Sequence, residues 1–132
     1  MIGFEMKDII IVEESGSFEF YKSIDAAILD LEPIDVSNGR YKVYDCYGHL
    51  LSLDVITKNN LSFPSRILGH KIKQIIIVTP ENSRDLSIEL AEKLKFYFAD
   101  FTDRFNYNGN LESAPLCNLI EHGLQYFSAR YS

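Results

Sequence analysis

The chain has 132 residues, 46% of them hydrophobic and 24% charged, with 13 Lys and Arg against 19 Asp and Glu for a formal net charge of −6. Such a length fits a single domain over residues 1–132, able to bury about two-thirds of its unfolded surface without staples, and no apolar run approaches the roughly 20 residues of a membrane span. The first residues show no cationic stretch ahead of a long apolar run and no small-residue cleavage site, so the protein is expected in the cytoplasm with Cys46 and Cys117 reduced.

In chain order, Ile9-Ile10-Ile11-Val12 is short, continuous and β-branched, the pattern of an interior strand. Ser15-Gly16-Ser17 breaks it, and Phe18 and Phe20 alternate with Glu19 as a second strand, giving a hairpin over 8–21. Ser23 is a candidate N-cap with Asp25 in the first turn; Ile24, Ala27, Ile28 and Leu31 then recur on one helical face, leaving Asp25, Leu29 and Glu32 on the other. Pro33 stops that helix. From Pro33 to Thr57 the spacing predicts a three-strand meander: an Asn38-Gly39 turn, a strand over Tyr41–Cys46, a turn at Tyr47-Gly48, and a strand over Leu50–Ile56, with one face of the sheet buried.

The segment KNNLSFPSRILGHK, with Pro64 and Gly69, reads as a connection. Ile75-Ile76-Ile77-Val78 reads as a strand covered on both faces and ended by Pro80. A helix is expected over about 85–101, with Leu86, Leu90, Ala91, Leu94, Tyr97, Phe98 and Phe101 inward and Ile88 and Phe96 off that face. A final helix is expected to start at Ser113 with Pro115 in its first turn and Leu116, Ile120, Gly123, Leu124 and Phe127 as its stripe; Gly123 there suggests close approach to another backbone. The fold class is therefore α+β: a mainly antiparallel sheet of about five or six strands around a central meander, an N-terminal helix and two C-terminal helices.

Charge is unevenly spread. Residues 1–35 hold nine acids against Lys7 and Lys22, a net of −7, and the remaining residues sum to +1. This argues against nucleic-acid binding, which needs gathered Lys and Arg, and favours a cationic partner, with plain solubility as the competing explanation. Glu13, Glu14, Glu19, Asp30, Glu32 and Asp35 are the acids that strand ends, outer helix positions and the turn leave exposed. Signals for chemistry are sparse. Cys46, His49, His70, Cys117 and His122 follow no metal-ligand spacing, and no glycine pattern cradles phosphates, so no metal, nucleotide or other cofactor is expected. Cys46 and His49, three apart across a turn, could pair as nucleophile and base but lack a visible orienting group, and Asp100 with Asp103 reads as solvated helix-end acids. Tyr41, Tyr44 and Tyr47 suit an interface as well as a strand.

Residues 17–55, SFEFYKSIDAAILDLEPIDVSNGRYKVYDCYGHLLSLDV, resemble small immunity proteins of bacterial polymorphic-toxin and contact-dependent growth inhibition systems. The marks are a helix ending in LEPIDV, an Asn-Gly turn, and Tyr41, Tyr44-Asp45, Gly48, Leu50-Leu51 and Leu53 in the spacing Y-x-x-Y-D-x-x-G-x-L-L-x-L. The resemblance implies a cytoplasmic, non-enzymatic inhibitor of one cognate toxin domain, expected to be a basic nuclease, with no catalytic residues and no binding to nucleic acid or membrane. Two other classes stay open: a small non-catalytic adaptor or structural module, and an enzyme with a dispersed site.

Overall fold

In the computed structural model the described residues are 8–59, 72–101 and 106–128, backbone only at 56–59 and 72–83. The connection expected around Pro64 and Gly69 and the acid Asp103 lie outside them. The elements run β1 (Ile10–Glu14), β2 (Ser17–Tyr21), α1 (Ile24–Asp30), α2 (Pro33–Ser37), β3 (Lys42–Asp45), β4 (His49–Asn59), β5 (Ile72–Asp85), α3 (Ser87–Phe98) and α4 (Leu116–Tyr126). The strands form one antiparallel five-stranded sheet in the order β2-β1-β3-β4-β5.

Strand β1 lies between β2 and β3, as its β-branched run requires, and Ile9, Ile10, Ile11 and Val12 are all buried. Because successive side chains point to opposite faces, Ile9 and Ile11 join Phe18, Phe20 and Tyr44 against Leu90, Leu94 and Phe98 of α3 and Leu119 and Ile120 of α4. Ile10 and Val12 join Tyr21 and Val43 against Ala26 and Ala27 of α1 and the cap residue Leu31. The sheet is thus covered on both faces, not on one as its alternation suggests, and Ile9 with the three apolar residues of β1 serves two cores.

The expected β1–β2 hairpin is present, with Ser15 and Gly16 both at positive φ in a two-residue turn. Ser23 caps α1, its Oγ accepting from the Ala26 amide at 3.1 Å. The expected Asn38-Gly39 hairpin is absent. Pro33 opens a second helix, α2, at its N1 position, where a fixed φ and a missing N–H favour helix, and Asn38 is that helix's C-cap. Gly39, at φ 71°, follows it and donates its amide to the Val36 carbonyl. The meander is therefore β3-β4-β5, and β3 reaches back to pair with β1. Strand β4 continues through Lys58 and Asn59, which the sequence pattern assigns to a connection.

Strand β5 runs through Pro80 to Asp85 at the sheet edge, where a proline can turn its missing N–H away from the ladder. Helix α3 buries Leu90, Leu94 and Phe98 and leaves Ile88 and Phe96 about four-fifths exposed, as expected. Helix α4 begins at Leu116 with Pro115 as its N-cap, two residues later than the N-cap candidate Ser113. Gly123 is close-packed not against a backbone but beneath the Phe20 ring, 2.2 Å from where a Cβ would stand, and the Phe127 carbonyl accepts from the Phe20 amide at 3.3 Å. Cys46 is buried and Cys117 exposed, both as free thiols.

Two glycines at positive φ separate conformational cost from packing cost. Gly39 has open space where a Cβ would be, whereas a Cβ on Gly48 would stand 2.3 Å from Ser87 Cα at the start of α3. Gly39→Ala should therefore cost about 1–2 kcal/mol, the left-handed backbone cost alone, and Gly48→Ala clearly more. Urea unfolding midpoints of the two variants measure this, and equal losses would contradict the packing of the β3–β4 turn on α3.

Candidate functional site

The acids of the N-terminal third sort by the sheet face they occupy. Glu13 and Glu14 are adjacent on β1 and so lie on opposite faces. Glu13 turns toward α3, where its Oε1 is 3.1 Å from Lys93 Nζ and 3.2 Å from the Tyr44 hydroxyl. Burial works against the Lys93 ammonium, but its hydrogen bonds to Glu13 and Tyr44 outweigh that and raise its pKa above the ordinary lysine value. Glu13 is thus part of an internal polar cluster bridging β1, β3 and α3.

Glu14, Glu19 and Asp30 are on the other side of the sheet and line one cavity of about 570 Å³ at its β2 edge with Tyr21, Leu31 and Tyr41; the cavity also reaches Tyr97 of α3 and Phe127 and Ser128 just past α4. The described residues lining it include no Lys, Arg or His. At its centre the Tyr21 hydroxyl lies 2.9 Å from Glu19 Oε1 and 2.8 Å from Asp30 Oδ2. A hydroxyl has one proton to donate, so the two carboxylates share it and each keeps unused acceptor lone pairs. Burial first, and then the two carboxylates, push the Tyr21 pKa far above its ordinary value.

Asp35 and Glu32 continue this surface through Tyr41, whose hydroxyl accepts from the Glu32 amide at 3.4 Å and lies 3.5 Å from Asp35 Oδ2. Arg40 Nε is 3.5 Å from Asp35 Oδ1 and Arg40 Nη1 is 4.0 Å from Glu14 Oε2, so a half-exposed cation spans α2 and the β1 end. In high dielectric such pairs contribute little energy, and the acids remain available to a stronger partner. Five of the six acids singled out in the sequence therefore belong to one face, and Glu13 belongs to the other. Tyr21, which organises the group, has no sequence signal beyond an aromatic at a strand end; its contact with Asp30 spans nine residues and depends on α1 folding back over β2.

Cys46 and His49 do not assemble a nucleophile. His49 Nδ1 is 3.2 Å from Asp45 Oδ2, and Asp45 Oδ1 accepts from the Tyr47 and His49 amides, both at 2.9 Å, so the trio closes a turn. Burial raises the Cys46 thiol pKa, the reverse of what a thiolate needs. Among the described residues, no group of three or more His, Cys, Asp or Glu could hold a metal ion, and no helix is long and apolar enough to cross a membrane. The chain matches no protein-family model, no curated protein and no solved structure.

The shared Tyr21 proton makes stability depend on alkaline pH with a defined sign. With its pKa raised in the folded state, Tyr21 is neutral in both states below pH about 10; above that the unfolded chain ionises first, and stability falls as pH rises. Tyr21→Phe should lower stability at neutral pH by about 1–3 kcal/mol, from loss of a hydrogen bond to charged acceptors, and should flatten the alkaline decline. Thermal midpoints measured from pH 7 to about 11 check both effects; parallel curves for wild type and variant would contradict the assignment.

Proposed function

We propose that this chain is an immunity protein, which binds a cognate cationic toxin domain, a nuclease, and neutralises it by occluding its active or substrate-binding surface. The observation that carries the reading is the gathering of Glu14, Glu19 and Asp30 around one cavity with no basic residue among the described residues that line it, and with Glu32 and Asp35 alongside. A nuclease needs Lys and Arg to hold phosphates, and an acidic surface that covers them gains steered association while it excludes nucleic acid. The resemblance of residues 17–55 to immunity proteins supports the same reading, because those residues contribute Glu19, Asp30, Glu32 and Asp35 to this face. Inhibition of this kind requires no catalysis and no cofactor from the inhibitor.

The test takes the product of the gene immediately upstream as the candidate toxin domain. Co-expression should rescue growth, and the two purified proteins should associate at a rate that falls steeply as salt rises from about 50 to about 500 mM. The triple variant Glu14→Gln, Glu19→Gln, Asp30→Asn should slow association by about tenfold or more, whereas Glu13→Gln, removed from that face, should leave the rate within about twofold. Rates indifferent to both salt and the triple variant, or a lack of rescue, would overturn the reading.

A further inference from the structure

The α1–α2 corner beside the acidic cavity has a second feature that the core does not explain. Leu29 is 71% exposed and Ile34 68% exposed, although the inner side of α1 is already filled by Ala26 and Ala27 and its cap residue Leu31 is buried. Isolated exposed aliphatics are ordinary; these two stand on consecutive short helices among Asp25, Asp30, Glu32 and Asp35, with Lys22 before the segment and Arg40, paired with Asp35 and Glu14, just after it. Exposed apolar residues with a polar, mainly acidic surround are the anatomy of a protein interface. Asp30 joins the two features, since it follows Leu29 on the helix while its carboxylate reaches Tyr21 in the cavity.

We infer that this corner docks a protein segment in which an arginine lies beside an aliphatic side chain, the guanidinium entering the cavity among Glu14, Glu19 and Asp30 while the aliphatic side chain rests on Leu29 and Ile34. Charge complementarity selects a cation. Arginine suits the site better than lysine because its planar fork offers five donors to carboxylates that arrive from three elements, β1, β2 and α1, and because it loses less hydration on entering a cavity walled by Leu31, Tyr21 and Tyr41. The Tyr21 proton cannot satisfy both Glu19 and Asp30, so a guanidinium completes a hydrogen-bond set that the hydroxyl leaves partial. This specifies what the cationic partner of the proposed inhibitor must present, and it rests on that reading only for the partner's identity.

The chemistry is testable without any toxin. The probe is a capped tetrapeptide, acetyl-Ala-Leu-Arg-Ala-amide, titrated into the full 15N-labelled chain, with two control peptides that carry citrulline in place of arginine or serine in place of leucine. The arginine peptide should shift amides within 12–21 and 24–37 in a saturable manner. Citrulline, isosteric but neutral, should weaken binding about tenfold, the equivalent of one charge-assisted hydrogen bond, and serine should weaken it about threefold or more. Glu19→Gln with Asp30→Asn should erase the preference for arginine over citrulline, and Leu29→Ser with Ile34→Ser the preference for leucine over serine. Equal binding of arginine and citrulline peptides, equal binding of leucine and serine peptides, or shifts spread equally over Glu89, Glu92 and Glu112 would overturn the inference. The wild-type peptide comparison decides the matter even where a double variant loses its dispersed spectrum. Failure here combined with growth rescue by the wild-type chain would remove this docking mode and leave the inhibitor reading standing; peptide selectivity without rescue would do the opposite.

Discussion

Everything in this fold is referred to one strand that is buried on both faces. Ile9 and Ile11 close the core beneath α3 and α4, and Ile10 and Val12 close the core beneath α1 and α2, so β1 is the common wall of two helical layers. Truncating a residue of this kind typically costs about 2–5 kcal/mol, and the loss here would be felt by both layers. The same constraint organises the acids. A strand apolar on both faces can only become polar at its end, and β1 does so at Glu13 and Glu14, which by alternation are sent to opposite sides of the sheet.

The two sides then treat their carboxylates differently. On the α3 side Glu13 meets Lys93 and Tyr44, a charge answered from within the chain. On the α1 side Glu14, Glu19 and Asp30 have between them, among the described residues, a tyrosine hydroxyl and one distant guanidinium, which leaves much of their hydrogen-bonding capacity unused. Carboxylates brought together without a cation repel one another, and Tyr21 offsets part of that cost by sharing its proton. The remaining imbalance is what the proposed docking of a cationic partner would use.

Local chemistry was legible in the sequence wherever it was also decisive. The Ser15-Gly16 turn, the Ser23 cap and the stripe of α3 depend on residues within a few positions of one another, and each is present. The stretch around Asn38-Gly39 carries two competing local readings, an Asn-Gly hairpin and a Pro-initiated, Gly-terminated turn of helix, and the second prevails. Pairing of β3 with β1 across α1 and α2 is a non-local fact with no signature in either strand. For the site, the acid bias was visible, but its division into faces required knowing that β1 is covered on both sides. Lys93 answers Glu13 across 80 residues, a distance at which pattern reading has nothing to offer.

The central claim is that the face formed by the β1–β2 end and the α1–α2 corner, and not the α3–α4 side, meets the partner. Hydrogen–deuterium exchange on a complex with the candidate toxin domain, compared with the free chain, tests it most directly. The account predicts added protection in residues 12–21 and 24–37, with α3 and α4 unchanged except near Tyr97 and Phe127, which border the cavity. Protection confined to α3, α4 or the β4–β5 ribbon would contradict it.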